Sequence, residues 1–116
     1  MKILAFDTSS STLSVAVIDA ELNVVLAKNT FHCNAQHSEL LIPEIEKILL
    51  EADLNYCDLG LIATTSGPGS FTGVRIGLTT ARIIKIATGL PLILVTTDED
   101  SEADSIGFSA YKKFNT

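Results

Sequence analysis

The sequence predicts an α/β fold, a mixed five-stranded sheet with the element order β-β-β-α-β-α-β. Three observations carry that prediction. The chain opens with three short apolar runs joined by two tight polar turns, the pattern of an antiparallel meander. Two longer stretches then carry apolar residues at helical spacing. Each of these follows or precedes a β-favouring run, so each helix serves as a crossover that adds a parallel strand.

The elements follow in order. Residues 2–7, Lys2-Ile3-Leu4-Ala5-Phe6-Asp7, read as a buried strand ending in a carboxylate. Residues 8–12 form a hydroxyl-rich turn, and residues 13–18 a second strand with partial alternation. After a turn at residues 19–23, residues 24–31 make the third strand, and residues 32–36 are loop. The first helix is predicted over residues 38–52, with Leu41, Ile45, Ile48 and Ala52 on one face and Ile42 and Leu49 flanking it. Pro43 is tolerated only near a first turn, which predicts either a kink or a later start. Residues 55–58 are loop and residues 59–65 the fourth strand. The second helix runs over residues 71–88, stopped by Gly89 with Pro91 beyond it, and residues 92–96 are the fifth strand.

The chain is organised around Ser66-Gly67-Pro68-Gly69-Ser70-Phe71-Thr72-Gly73-Val74-Arg75-Ile76-Gly77. Pro68 lacks an N–H and Gly67 accepts positive φ, so the strand must turn here. Ser70 is a good N-cap for a helix beginning at Phe71. A strand, a Gly-rich turn and a helix N-terminus in succession make backbone N–H groups converge, which suits an anion. A purely structural tight turn uses the same residues, and both readings stand. The stretch is not a Walker loop, since no Lys-Ser or Lys-Thr follows, and its third glycine falls one residue late for a dinucleotide fingerprint. Arg75 lies near the helix N-terminus, where the macrodipole disfavours a cation. It shares a face with Thr79 and Arg82, and no Asp or Glu occurs over residues 59–97. Either this is a solvated basic face, or an acidic partner or anion offsets the charge.

The eleven residues Gly67 to Gly77, followed by a helix and then Gly89-Leu90-Pro91-Leu92, resemble the TsaB (YeaZ) family, part of the bacterial machinery that makes threonylcarbamoyladenosine in tRNA. The resemblance covers residues 1–97. It implies a ribonuclease H-like (actin-like ATPase) lobe related to the sugar kinases, with a second lobe from whose pattern this sequence departs. It further implies a non-catalytic scaffold that pairs through its two helices with a TsaD-like subunit, and with itself as a homodimer in isolation. In the wider superfamily the first hairpin faces nucleotide phosphates and Mg²⁺. Asp7, Thr8, Ser9 and Ser10 are therefore candidate residues of a vestigial phosphate loop, with ATP and Mg²⁺ the candidate cofactor. The plainer reading, favoured here, has Asp7 capping its own turn. Gly67, Pro68, Gly69, Ser70, Gly73 and Arg75 form the candidate anion or interface loop.

Charge and composition bound the function. At 116 residues, 47% of them hydrophobic and 6% aromatic, one ordinary α/β domain is expected. The net charge of −6 divides evenly: residues 1–97 carry six Lys/Arg against nine Asp/Glu, and residues 98–116 two against five. Such a surface argues against broad direct binding of nucleic acid, so tRNA would be met only indirectly, through a complex. Residues 98–116 are expected to form an acidic, disordered or atypical tail after a lobe spanning 1–97, with a short helix over 105–114 as the alternative. No apolar run reaches the ~20 residues that cross a bilayer. Met1 leads directly into a strand with no leader pattern, and Cys33 and Cys57 form no framework, so a reduced, cytoplasmic protein is expected.

The helices offer a docking surface. On a helical wheel Gly73, Val74, Ile76, Gly77, Leu78, Thr80, Ala81, Ile83, Ile84, Ala87 and Thr88 span well over half the circle. One sheet face uses a stripe of only about 100°. The surplus is covered either by the sheet beneath or by a partner helix, since Gly73, Gly77 and Ala81 let a second backbone approach closely. The resemblance implies a partner, met through Ile45, Leu49, Ile76, Gly77, Thr80, Ile83, Ile84 and Ala87. His37-Ser38-Glu39 resembles the start of the corresponding helix in TsaD, whose metal ligands include two His four apart. Here His32 and His37 stand five apart with loop between them, so no metal site is predicted. Nor do Ser66 and Ser70 form a nucleophile–base arrangement with either histidine. A nucleotide-binding half-enzyme completed by dimerisation, or a truncated inactive product, are the competing readings.

Overall fold

The computed structural model describes residues 1–96 and 102–116. Strands β1 (Lys2–Asp7), β2 (Thr12–Asp19) and β3 (Val24–His32) form the meander. Helix α1 (His37–Glu51) leads through a single 3-10 turn (Tyr56–Asp58) to β4 (Leu61–Gly67). Helix α2 (Phe71–Thr88), β5 (Leu92–Thr96) and a third helix, α3 (Ala103–Phe114), complete the chain. The sheet order is β3-β2-β1-β4-β5, antiparallel across the meander and parallel from β1 to β4 to β5. The mixed five-stranded α/β sheet is as the sequence predicts.

Alternation along the strands divides two cores. Leu4, Phe6, Leu13, Val15, Val17 and Ile62 point to one face, where α1 supplies Leu41, Ile45, Ile48 and Leu49 and α2 supplies Ala81 and Ile84. Ile3, Ala5, Ala16, Ile18, Leu61, Ala63 and Val95 point to the other, where α3 lays down Ala103, Ile106 and Ala110. Both faces are covered, which is why β1 and β2 read as nearly continuous apolar runs.

Of the two expectations for the tail, the described residues follow the short helix anticipated over 105–114, which as α3 begins two residues earlier, rather than a disordered one. Ala103, Ile106, Gly107 and Ala110 are buried at i, i+3, i+4 and i+7, a regular stripe built mostly of small residues. Its first turn is anchored by β2 and β3: Ala103 N donates to Ser14 Oγ at 2.9 Å, and Lys28 Nζ pairs with Glu102 at 2.8 Å. The acidic residues Asp98, Glu99 and Asp100 lie outside the described residues. Helix α1 begins at His37, earlier than predicted, and continues through Pro43 because its buried face holds it to the sheet. Of the two outcomes anticipated for Pro43, the later start does not occur.

Candidate functional site

The Gly-rich turn after β4 packs against the turn after β1. Gly67 has φ of +106°, the positive value that its place in the turn predicts. Ser70 caps α2, its Oγ accepting from Gly73 N at 3.2 Å, as read from the sequence. The glycines beyond Pro68 answer to a neighbour. A Cβ on Gly69 would stand 2.6 Å from Ser9 Cβ, and one on Gly73 would collide with the backbone oxygen of Thr8. Ser70 N donates to Ser9 O at 2.7 Å, and Thr8 Oγ1 donates to Gly73 O at 2.6 Å. The N–H groups of Ser70 and Gly73, which an anion would use, are thus engaged within the chain.

The candidate phosphate turn is spent in the same way. Asp7 Oδ1 accepts from Ser9 N at 2.8 Å and from Ser9 Oγ at 2.5 Å, the self-capping arrangement. Asp7, Thr8 and Ser9 are all buried, and the exposed Ser10 shares its hydroxyl with Thr12 at 3.0 Å. Asp7, Thr8 and Ser9 do not fit a nucleotide phosphate and its Mg²⁺, because Asp7 Oδ1, both hydroxyls and Ser9 N are bonded within the chain; of the four only Ser10 is exposed. A cleft of about 670 Å³ does lie beside them, lined in part by Ser10, Asn34, His37 and Thr72. His37 Nε2 lies 3.2 Å from Thr12 O, within hydrogen-bonding reach.

The outer face of the α1/α2 layer is the other candidate. Phe71, Ile83 and Ile86 of α2 are 76%, 60% and 84% exposed, and Leu50 of α1 is 80% exposed. Arg75 is exposed beside them, its guanidinium 5.3 Å from the centroid of the Phe71 ring. Among the residues predicted to meet a partner, Ile83 and Ala87 are exposed, and Ile76 and Thr80 are half-buried. Ile45, Leu49, Gly77 and Ile84 are corrected. They are buried against their own sheet, and a Cβ on Gly77 would stand 3.0 Å from Thr8 Oγ1 and 3.1 Å from Thr64 Oγ1. Phe71, Ile86 and Leu50 were missing from the predicted set. The signal for them is the remainder of the same wheels, since an apolar residue opposite the sheet-facing stripe has nothing of its own chain to cover it. Among the described residues no helix is long and apolar enough to cross a membrane.

Comparison with known proteins places this geometry. The family model for "TsaD: tRNA N6-adenosine threonylcarbamoyltransferase" matches residues 29–99. The tRNA threonylcarbamoyladenosine biosynthesis protein TsaB of Bacillus subtilis (strain 168) is 34% identical over 108 residues, which is 93% of this chain and 46% of that protein. The solved structure of YeaZ from Pseudomonas aeruginosa superposes with a TM-score of 0.75 at 29% identity, covering 82% of this chain and 43% of that one. Thermus thermophilus RuvC, at 12% identity and a TM-score of 0.64, covers 100% of this chain and 98% of its own and shares the fold alone. The architecture is ribonuclease H-like, of the actin-like ATPase kind. The chain spans less than half the length of the TsaB relative it matches. With a family model over more than half its length and TsaB and YeaZ as its relatives, the chain belongs to the TsaB (YeaZ) group of the family that the TsaD model describes.

Proposed function

We propose that the chain is a non-catalytic subunit in the formation of threonylcarbamoyladenosine in tRNA, docking a TsaD-like subunit through the outer face of α1 and α2. The observation that carries this reading is the set of exposed apolar side chains Phe71, Ile83 and Ile86 along α2 and Leu50 on α1, two helices whose opposite faces pack on the sheet. The names of its relatives supply the pathway. A scaffold role is supported by the inward bonding of the polar groups around the turns: Ser9 serves Asp7, and Ser70 caps α2. In isolation the same side chains would pair two copies of the chain as a homodimer. The tRNA would be held by the complex, in the cytoplasm, because a net charge of −6 repels its phosphates.

The test is association with the TsaD-like subunit of the same organism, followed by sizing chromatography. Ile86→Ser is expected to reduce co-elution while leaving the far-ultraviolet circular dichroism unchanged. Failure of the wild-type chain to associate removes the proposal.

A further inference from the structure

We infer that Arg75 is the specificity element of that docking face, and that it receives a carboxylate carried on a helix of the partner subunit. The inference rests on the docking reading and adds the chemistry that the partner must present. Ser38, Thr72, Arg75, Ile76, Thr79 and Thr80 line a groove of about 340 Å³ where α1 begins beside α2. Four of those six side chains are hydroxyls, and none of the four has a hydrogen-bond partner among the described residues. Arg75 likewise makes no ion pair there, because the described ion pairs belong to the N-terminal amine and to Lys28.

The guanidinium is nevertheless held. Its stacking over the exposed Phe71 ring favours one conformation, so that less side-chain freedom is lost when a planar acceptor arrives. Charge complementarity selects that acceptor. Helix α2 carries Arg75, Arg82 and Lys85 with no Asp or Glu, and the positive end of α1 adds to the potential at Ser38. A carboxylate takes the fork through both oxygens, leaving hydroxyls in reach on either side. Arg75 also touches the exposed Phe71, so one partner helix would place apolar residues on Ile83 and Ile86 and an Asp or Glu about two to three turns away.

The test measures the dissociation constant for the TsaD-like subunit against NaCl concentration. Arg75→Gln is expected to weaken binding about ten- to a hundredfold and to flatten the salt dependence. Arg75→Lys, which keeps the charge and loses the fork, should fall between. Ile86→Ser should weaken binding without altering the salt dependence. If the wild-type chain does not bind, the docking reading itself fails. If it binds and Arg75→Gln binds equally well with the same salt dependence, only the role of Arg75 is overturned. Heat from inorganic phosphate titrated into the isolated chain, lost in Arg75→Gln, would also overturn it, by showing that the groove takes a free oxyanion.

Discussion

Thr8 and Gly73 interlock: the hydroxyl of Thr8 donates 2.6 Å to the carbonyl of Gly73, while the carbonyl of Thr8 occupies the space where a side chain at 73 would begin. Gly73→Ala should therefore be severely destabilising, by about 3 kcal/mol or more, because the obstructing atom is backbone and the helix would have to shift. Gly89→Ala is the control. Gly89 has a φ of +75° but nothing within 4 Å, so it should cost only about 1 kcal/mol, from conformation alone. Urea unfolding of the two variants checks the contrast.

Titration with ATP and Mg²⁺ should give no heat at millimolar nucleotide. Asp7 and Ser9 satisfy each other, and Thr8 is committed to α2, so opening the turn for a phosphate would sacrifice buried hydrogen bonds. A saturable heat that disappears in Ser10→Ala would contradict this.

Ile106→Ala should destabilise the fold by about 2 to 4 kcal/mol, the usual cost of emptying a fully buried aliphatic site. Ile106, on the sheet-facing side of α3, is 1% exposed. A thermal midpoint within a degree of wild type would mean that α3 does not cover the sheet in solution.

The Lys28–Glu102 pair sets a weak pH dependence. Hydrogen bonds from Lys28 and then Thr30 hold Glu102 below the usual carboxylate range, and its bond to Glu102 holds Lys28 above the usual ammonium range. Glu102's share of stability is present above its unfolded pKa and is lost as acid takes pH through its depressed folded value. That of Lys28 is present below its unfolded pKa and is lost as pH rises through its elevated folded value. The pair should therefore act between roughly pH 5 and pH 10. Both groups are partly exposed, so Lys28→Met should cost less than about 1 kcal/mol, and less in high salt. Chemical denaturation at several pH values checks both the size and the window.

Helix α2 was legible in full because its signals are local: Ser70 begins it and Gly89, at positive φ, ends it. Helix α3 was not, because Gly107 and two alanines make a stripe with little hydrophobic contrast, behind an acidic block that reads as solvent-exposed chain. The unbroken apolar runs of β1 and β2 did hold the missing clue, since a strand with one wet face would have alternated. The candidate turns failed differently. Gly69 and Gly73 were legible as glycines with a purpose, but that purpose is the backbone at residues 8 and 9, some sixty residues earlier, and no local pattern reports such a contact. The same distance hid which half of the α2 wheel the sheet would claim.

The position of β1 has a consequence for synthesis. Of the five strands, β1 is synthesised before the others yet lies in the middle of the sheet, and its parallel neighbour starts only at Leu61. Until then the nascent hairpins present a bare, hydrogen-bond-hungry margin flanked by Ile3, Leu4 and Ala5. A polypeptide stalled between β3 and β4 would be adhesive, and a chaperone that shields that margin would serve this protein while the sheet is still emerging rather than after release.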